Sequence, residues 1–533
     1  EMKNFFNLVK INFIGMFRGG KRGKKAAKTS GAAFLGYALF LAACIGFCGY
    51  YYSRLFGKGL AAEGKLVVLL PYMTALSAIA SFMFSFFSTG TVLYGYKDYD
   101  MLSSMPIKSS AIVLSKLFYM YLADVAFTLL FTIPAAANYA AFGGVLDGAA
   151  ILAIIIFAIF ASMITLAISV IIGTLASVIG SFFRKKNIIQ TIVFALVFVG
   201  IFALSFFSGL EGSEGGTSAL ENGVVTKLYF LTPLAIKAMT DIKYSLIFAG
   251  INLASLFAVT GFVCLTYKKL NTVVTAKRTN KKFRLGNYKG KSTFAALLSR
   301  ERSKFFSCPM YVINCLMGAI ISIVVAIGFV VVIRILAEEV PDVVAASATF
   351  TAFAPAIFAF SYVLAPSTSC SISLEGNSFW AIRTMPVRLN SLFNAKMLLC
   401  FIIFAISAVV SSLVIGIGLS YEIADILLLL LNGLSVTAFA SASGLLVNIL
   451  LPKMNWDNEN QVVKQSASVF VTMIAAFVLT GIYAFSATKI LEAGFSVRLF
   501  LLITAAFALI LAIACYMIIE EKGEKLLLKK IDK

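Results

Sequence analysis

Histidine is absent from all 533 residues, which removes the side chain most often used as a general base near neutral pH and as a ligand for transition metals. Charge is scarce as well: Asp, Glu, Lys and Arg make up 13% of the chain, about half the ~25% typical of a soluble domain. Acids are the rarer sign, 24 against 45 Lys and Arg, and they lie scattered between apolar runs. That dispersal provides no converging acid, base and nucleophile for an intramembrane lipid or glycan transferase. The eight cysteines include no Cys-x-x-Cys pair and fall mostly inside apolar runs, the pattern of buried free thiols rather than of disulfides or a metal site.

What is abundant is apolar. Hydrophobic residues are 60% of the sequence, more than one soluble core can hide, and they form runs such as 149–183, longer than the ~20 residues that cross a hydrocarbon layer. A net charge of +21 would suit nucleic acid only if basic residues shared a folded, water-facing surface with stacking aromatics. Here they sit between apolar runs, so no nucleic acid is expected as a partner. Hydropathy predicts spans near 31–51, 67–92, 112–135, 149–182, 188–208 and 244–267, then 309–335, 346–369, 392–419, 425–450, 466–486 and 498–519.

The expected fold class is therefore all-α: a polytopic membrane protein with a first six-span half (31–267) and a second (309–519). An N-terminal segment (1–30), a basic linker (268–308) and a charged tail (520–533) complete the chain. With both termini inside, most Lys and Arg fall on the cytoplasmic side, including Arg18 to Lys28, Arg184 to Lys186 and Lys268 to Lys304; this is the positive-inside pattern. The outer loops are short or acidic, as at Glu338-Glu339 and 208–223. Segments 2–17 and 292–306 are too short to cross and mix apolar residues with Lys or Arg, so both are predicted as interfacial helices on the cytoplasmic leaflet. The first leads into a basic stretch without the small-residue cleavage site of a signal peptide.

The sequence also repeats itself, the feature that most constrains an architecture. After the second span stand Met105-Pro106-Ile107-Lys108 and Lys116; after the eighth stand Met385-Pro386-Val387-Arg388 and Lys396, at a constant offset of 280 residues. The same offset pairs Tyr99 with Phe379 and Leu102 with Ile382. Proline disfavours helical geometry in the residue before it, so each segment reads as a short helix that stops and restarts as a membrane helix. Lys116 and Lys396, near the inner ends of those helices, are expected to snorkel to headgroups as anchors. An even number of spans per repeat makes the halves parallel, related by an axis along the membrane normal.

With these features the sequence resembles the permeases of type-2 ATP-binding-cassette exporters, in the fused two-half form found in Gram-positive bacteria. The segment Leu451-Pro452-Lys453-Met454-Asn455-Trp456-Asp457-Asn458-Glu459, followed by Val463-Lys464-Gln465-Ser466, is similar to a hallmark of that family. The resemblance implies a plasma-membrane permease, with coupling helices at Tyr99, Leu102, Met105, Pro106, Ile107 and Lys108 and at Phe379, Ile382, Met385, Pro386, Val387 and Arg388. It also implies two copies of a separate cytoplasmic ATPase that bind ATP and Mg²⁺, and an amphipathic or hydrophobic cargo: a peptide or toxin first, a lipid or drug otherwise.

The residues agree that ATP binds elsewhere. A P-loop requires G-x-x-x-x-G-K-[ST] between a strand and a helix; 15–21 and 59–65 have the spacing but lack the hydroxyl, and 286–292 is one residue short. No cofactor or metal is expected on this chain, nor enzymatic activity of its own.

Asp124 is the one acid deep within a predicted span. Such a carboxyl is either hydrogen-bonded within the bundle or a candidate substrate contact for polar or cationic cargo. Its matched position is Phe404. An ion-coupled twelve-span transporter, the main rival class, would place such acids in both repeats. Arg334 is expected at the outer interface. Ser169, Gly173 and Ser177, with Thr437, Ala440, Ser441 and Gly444, have the spacing of close helix packing. The 49 phenylalanines fit lipidic cargo and plain lipid contact equally well.

Overall fold

The computed structural model describes residues 5–11, 24–94, 102, 104–182, 228–275, 290, 292–336, 343–456, 459–464 and 466–531. All regular structure among them is helical. Hydrocarbon supplies no water to satisfy exposed N–H and C=O groups, and a helix pairs them within one segment.

The elements begin with α1 Lys24–Ala62, α2 Leu69–Val92, α3 Ser109–Ala141, α4 Gly148–Phe182, a short α5 Thr232–Ala238 and α6 Ile242–Thr275. There follow α7 Thr293–Ser307, α8 Pro309–Leu336, α9 Val343–Val363, the one-turn α10 Thr368–Ser371, a 3₁₀ segment Ser373–Ser378 and α11 Phe379–Arg383. The last are α12 Leu389–Gly418, α13 Ile423–Leu450, α14 Glu459–Val463, α15 Ala467–Glu492 and α16 Val497–Ile531.

Ten helical segments among the described residues are long and apolar enough to cross a membrane, and each falls on a predicted span. The predicted first span lies within α1. The predicted fifth, 188–208, is outside the described residues, as are Arg184 to Lys186, 208–223 and Glu338-Glu339. Segment 520–533, expected as a charged tail, instead continues α16 to Ile531. Ile519, Gly523 and Leu527 are buried at four-residue spacing, so an apolar stripe runs on beneath the charges. The predicted helix at 292–306 is α7, with the Ser292 hydroxyl accepting from Ala295 N at 3.3 Å as its N-cap.

Two compact units are built on Leu35–Lys281 and Lys282–Lys533. In the first, α2 packs against α3 and α4, and α4 packs along α6, around Leu69, Met73, Phe157 and Phe248. In the second, α13 packs against α9, α12 and α16, while α8 packs on α9 and α12. Phe404 stacks on Tyr362 at 5.1 Å in its core.

The small residues do bring helices together. A Cβ on Gly173 of α4 would stand 2.7 Å from Thr89 Cβ on α2, and one on Gly444 of α13 would stand 2.5 Å from Thr368 Oγ1 and 3.2 Å from Ser369 N. Arg334, exposed at the end of α8, donates to Gly418 O at 2.9 Å.

The closest such approach is Gly318 of α8, where any Cβ would run into the carbonyl oxygen of Ser361 on α9. Because that neighbour is backbone, Gly318→Ala is expected to force the helices apart and to cost about 1–3 kcal/mol, the usual penalty of overpacking. Gly481→Ala, where nothing lies within 4 Å of the added carbon, is the control. Thermal unfolding in nanodiscs checks this; equal midpoints for the two variants would show that α8 and α9 do not meet there.

Candidate functional site

The matched Met-Pro segments lead into α3 and α12 with one backbone geometry. Ile107 N donates to Met105 O at 2.7 Å, and Val387 N donates to Met385 O at 2.8 Å. The next residue precedes the helix in the same extended conformation, φ −64° and ψ 138° at Lys108, φ −65° and ψ 132° at Arg388. Ala111 N and Ser391 N then donate to Lys108 O and Arg388 O, each at 3.0 Å. Burial keeps the same register. Met105 and Met385 are 41% and 42% exposed; Pro106, Pro386, Lys108 and Arg388 are exposed, and Ile107 and Val387 are half-buried.

Not every residue expected to dock is available. Phe379 and Ile382 are buried, packed into a cluster with Leu297, Leu392 and Phe393. The single turn of α11 is amphipathic: those two face inward, and the outward face carries Arg383 and Trp380, 68% exposed. Trp380 was not singled out from the sequence. Leu102 is half-buried and Tyr99 lies outside the described residues.

The two matched lysines are not headgroup anchors. Lys116 is buried, donating to Leu93 O at 3.4 Å and Tyr267 OH at 3.2 Å. Lys396 is buried too, and its Nζ lies 2.8 Å from Glu301 Oε2 of α7 and 2.9 Å from Glu375 Oε1 of the 3₁₀ segment. It also donates to Ser371 O at 3.2 Å. Snorkelling requires a path to the lipid surface; α7 and the chain between α9 and α12 close that path for Lys396.

Around this lysine stands an ion cluster that links three separate elements. Glu375 receives Arg300 Nη2 at 2.8 Å and Lys304 Nζ at 2.6 Å as well, and Arg300 Nη1 reaches Glu301 Oε1 at 2.7 Å. Burial depresses the Lys304 ammonium below its ordinary value, with Glu375 pulling the other way. Ionised groups removed from water are tolerable only when each has partners of opposite sign, and here each carboxylate meets two or more cations.

The segment carrying Glu375 is itself held in place. Asn448 of α13 accepts at Oδ1 from Ile372 N (2.8 Å) and Ser373 N (3.1 Å), and its Nδ2 donates to Ser373 Oγ at 2.8 Å. Trp456, from the segment after α13, donates to Ser373 O at 2.8 Å. Its indole covers Gly376, which has φ +52° and whose absent Cβ would lie 2.8 Å from Trp456 Nε1. Only glycine meets both demands at low cost. Asp457 and Asn458 are outside the described residues.

Asp124 is fully buried in α3, where Ser85 Oγ donates to its Oδ2 at 2.5 Å. Of the P-loop-like stretches, 59–65 starts in the last turn of α1 and so follows a helix rather than a strand. Residues 15–21 and most of 286–292 lie outside the described residues.

Because Glu375 is shared by Arg300, Lys304 and Lys396 while Glu301 is shared by Arg300 and Lys396, the two acids are not equivalent. Glu375→Gln strands more buried positive charge and is expected to destabilise more than Glu301→Gln, up to the about 3–5 kcal/mol lost when a buried pair is broken. Unfolding midpoints in nanodiscs measure the order, and a lower midpoint for Glu301→Gln would displace Glu375 from the centre of the cluster.

A comparison with curated proteins finds no match. A family model described as a membrane protein of 12 TMs matches residues 58–519, a stretch that takes in both Met-Pro turns, the carboxylates of the ion cluster and the Trp456 segment. The chain thus belongs to this family of twelve-span membrane proteins.

Proposed function

We propose that the protein is the permease subunit of an ATP-driven exporter in the bacterial plasma membrane. Two copies of a separate cytoplasmic ATPase, carrying ATP and Mg²⁺, dock on the Met-Pro turns. The observation that carries this reading is the duplicated turn: two segments 280 residues apart share hydrogen bonds, backbone angles and exposure, and each presents an exposed thioether and proline beside a basic residue. Exposed apolar groups rimmed by charge mark interaction surfaces, and two alike suit two copies of one partner.

In this reading the halves are parallel six-span bundles with both termini inside. The ion cluster gives the second turn a stiff mounting, since α7, the Glu375 segment and α12 share its charges. A push on Met385-Pro386 then moves α12 instead of being absorbed locally, and the translocation path switches from inward to outward access. An amphipathic peptide is the favoured cargo, with lipids and hydrophobic drugs fitting the same apolar surroundings. An ion-coupled transporter is the second reading, favoured by one feature, the buried Asp124.

Photo-crosslinking residues placed at positions 105 and 385 in cells test the assignment. Both are expected to capture the same P-loop ATPase. In the reconstituted pair, Met105→Asp with Met385→Asp is expected to lower substrate-stimulated ATP hydrolysis by roughly tenfold or more, the loss that follows from removing an interface hot spot of about 2 kcal/mol. Labelling that places the two turns on opposite faces of the bilayer would overturn the reading.

A further inference from the structure

We infer that the interior of the first unit contains a binding site for one monovalent cation, H⁺ or Na⁺, with Asp124 as its anionic ligand. The site is independent of the exporter reading, because it uses none of the residues assigned to docking.

Asp124 lies 15 residues into α3, about 22 Å along its axis at 1.5 Å per residue, and is 0% exposed. One carboxyl oxygen accepts from Ser85 Oγ of α2. The other, Oδ1, is equally inaccessible and has no hydrogen-bond partner. An ionised carboxylate can accept about four hydrogen bonds, so one bond leaves it far short of neutralisation. An isolated charge at such depth is strongly disfavoured; a cation bound at Oδ1 removes that penalty.

The described helices around Asp124 bring no competing charge to this depth. Helices α2 and α4 contain no Asp, Glu, Lys or Arg. In α6 the basic residues are Lys243 in the first turn and Lys268 and Lys269 near the end. The part of α1 beside α3 carries Arg54 and Lys58 close to its C-terminus, and Arg54 Nη1 donates to Tyr50 OH at 2.7 Å. The nearest charge on α3 itself, Lys116, lies two turns away and donates to Leu93 O and Tyr267 OH. The other titratable side chains on these helices are phenols and thiols, including Tyr121 and Tyr119 of α3, Tyr72 of α2, Cys264 of α6 and Cys44 and Cys48 of α1.

Oxygen groups line the same helices: Ser85 meets the carboxylate itself, and others lie along α2, α3 and α4. Ser81 and Thr165 approach to 3.5 Å between α2 and α4, one turn from Ser85. Thr128, a turn along α3, donates to Asp124 O at 2.9 Å. Hydroxyl, carbonyl and carboxylate oxygens are the ligands that hard cations prefer.

The matched position in the second unit carries no carboxylate. Phe404 replaces the acid, and one turn on Ser322 and Ser407 pair at 2.6 Å, with Tyr362 donating to Ser322 at 3.1 Å. The open acceptor therefore belongs to the first unit alone among the matched pair.

Binding is a balanced exchange: carboxylate plus H⁺ gives a carboxylic acid, or carboxylate plus Na⁺ gives an ion pair, each of zero net charge. Infrared difference spectra of the full-length protein in phosphatidylcholine nanodiscs test it, with pH stepped from mildly acidic to mildly alkaline in KCl and then in NaCl. If H⁺ is the occupant, a protonated-carboxyl band absent from Asp124→Asn disappears as pH rises, whether or not Na⁺ is present. If Na⁺ binds, adding NaCl but not KCl replaces that band with carboxylate bands at fixed pH. Ser85→Ala keeps the acid and removes its hydrogen bond, so the shift it causes assigns the band even if Asp124→Asn fails to fold. An Asp124 band that answers neither to pH nor to Na⁺ would mean a permanently neutral structural acid and would overturn the proposal.

Discussion

In hydrocarbon a polar group that lacks a partner cannot turn to water, and this single constraint accounts for most of what the interior of the molecule looks like. Backbone groups meet it by forming helices. Buried hydroxyls meet it by bonding back to their own helix, as Thr74 does to Leu70 O at 2.7 Å and Thr437 to Gly433 O at 2.8 Å. Charges meet it by finding one another: Lys396 between Glu301 and Glu375. Where helices break, as between α9 and α12, the freed backbone is taken up by side chains from elsewhere, Asn448 and Trp456.

The break between α9 and α12 gains its shape from that accounting. A plain loop would serve to connect two spans, yet here the chain makes a turn of helix, a 3₁₀ segment and a second helical turn. The first two pieces are pinned by contacts distant in sequence, Ser371 O by Lys396, Ser373 by Asn448 and Gly376 by Trp456, and the third by Phe379 and Ile382 packing with Leu297. The result is a rigid mount whose outward face is Trp380, Met385 and Pro386. Rigidity without regular secondary structure has to come from such cross-links, because backbone ladders are missing.

Much of this was legible in the sequence, and the boundary of legibility is physical. Long apolar runs located the spans because hydropathy is a local property, and the four-residue spacing of Gly173 and Ser177 located a close helix contact. The 280-residue offset located two turns whose backbones agree in detail. The lysines were found by the same offset but given the wrong environment, since whether an ammonium group faces lipid or protein depends on chain far away in sequence: Glu301 of α7 for Lys396 and Tyr267 of α6 for Lys116. Glu375 and Glu301 gave no local signal at all. Each is an ordinary acid in a short polar stretch, and only the fold brings it to Lys396. Position 520 onward looked like a tail because charge was weighed there before the 519, 523, 527 stripe.

The repeat is strict at the surface and loose inside, and that contrast separates two kinds of constraint. Met105 and Met385 sit in turns with the same backbone angles after them and the same exposure, while beneath them the contacts among described residues are Leu93 O and Tyr267 OH for Lys116, and Ser371 O, Glu301 and Glu375 for Lys396. Further in, Asp124 faces Ser85 where Phe404 stacks on Tyr362. Interior demands can be met in many ways, because any complementary filling satisfies a buried volume. A turn that must fit the same external surface twice has far fewer solutions. On the proposed reading, likeness at the turns together with divergence behind them is what two copies of one partner would impose on two halves filled differently inside.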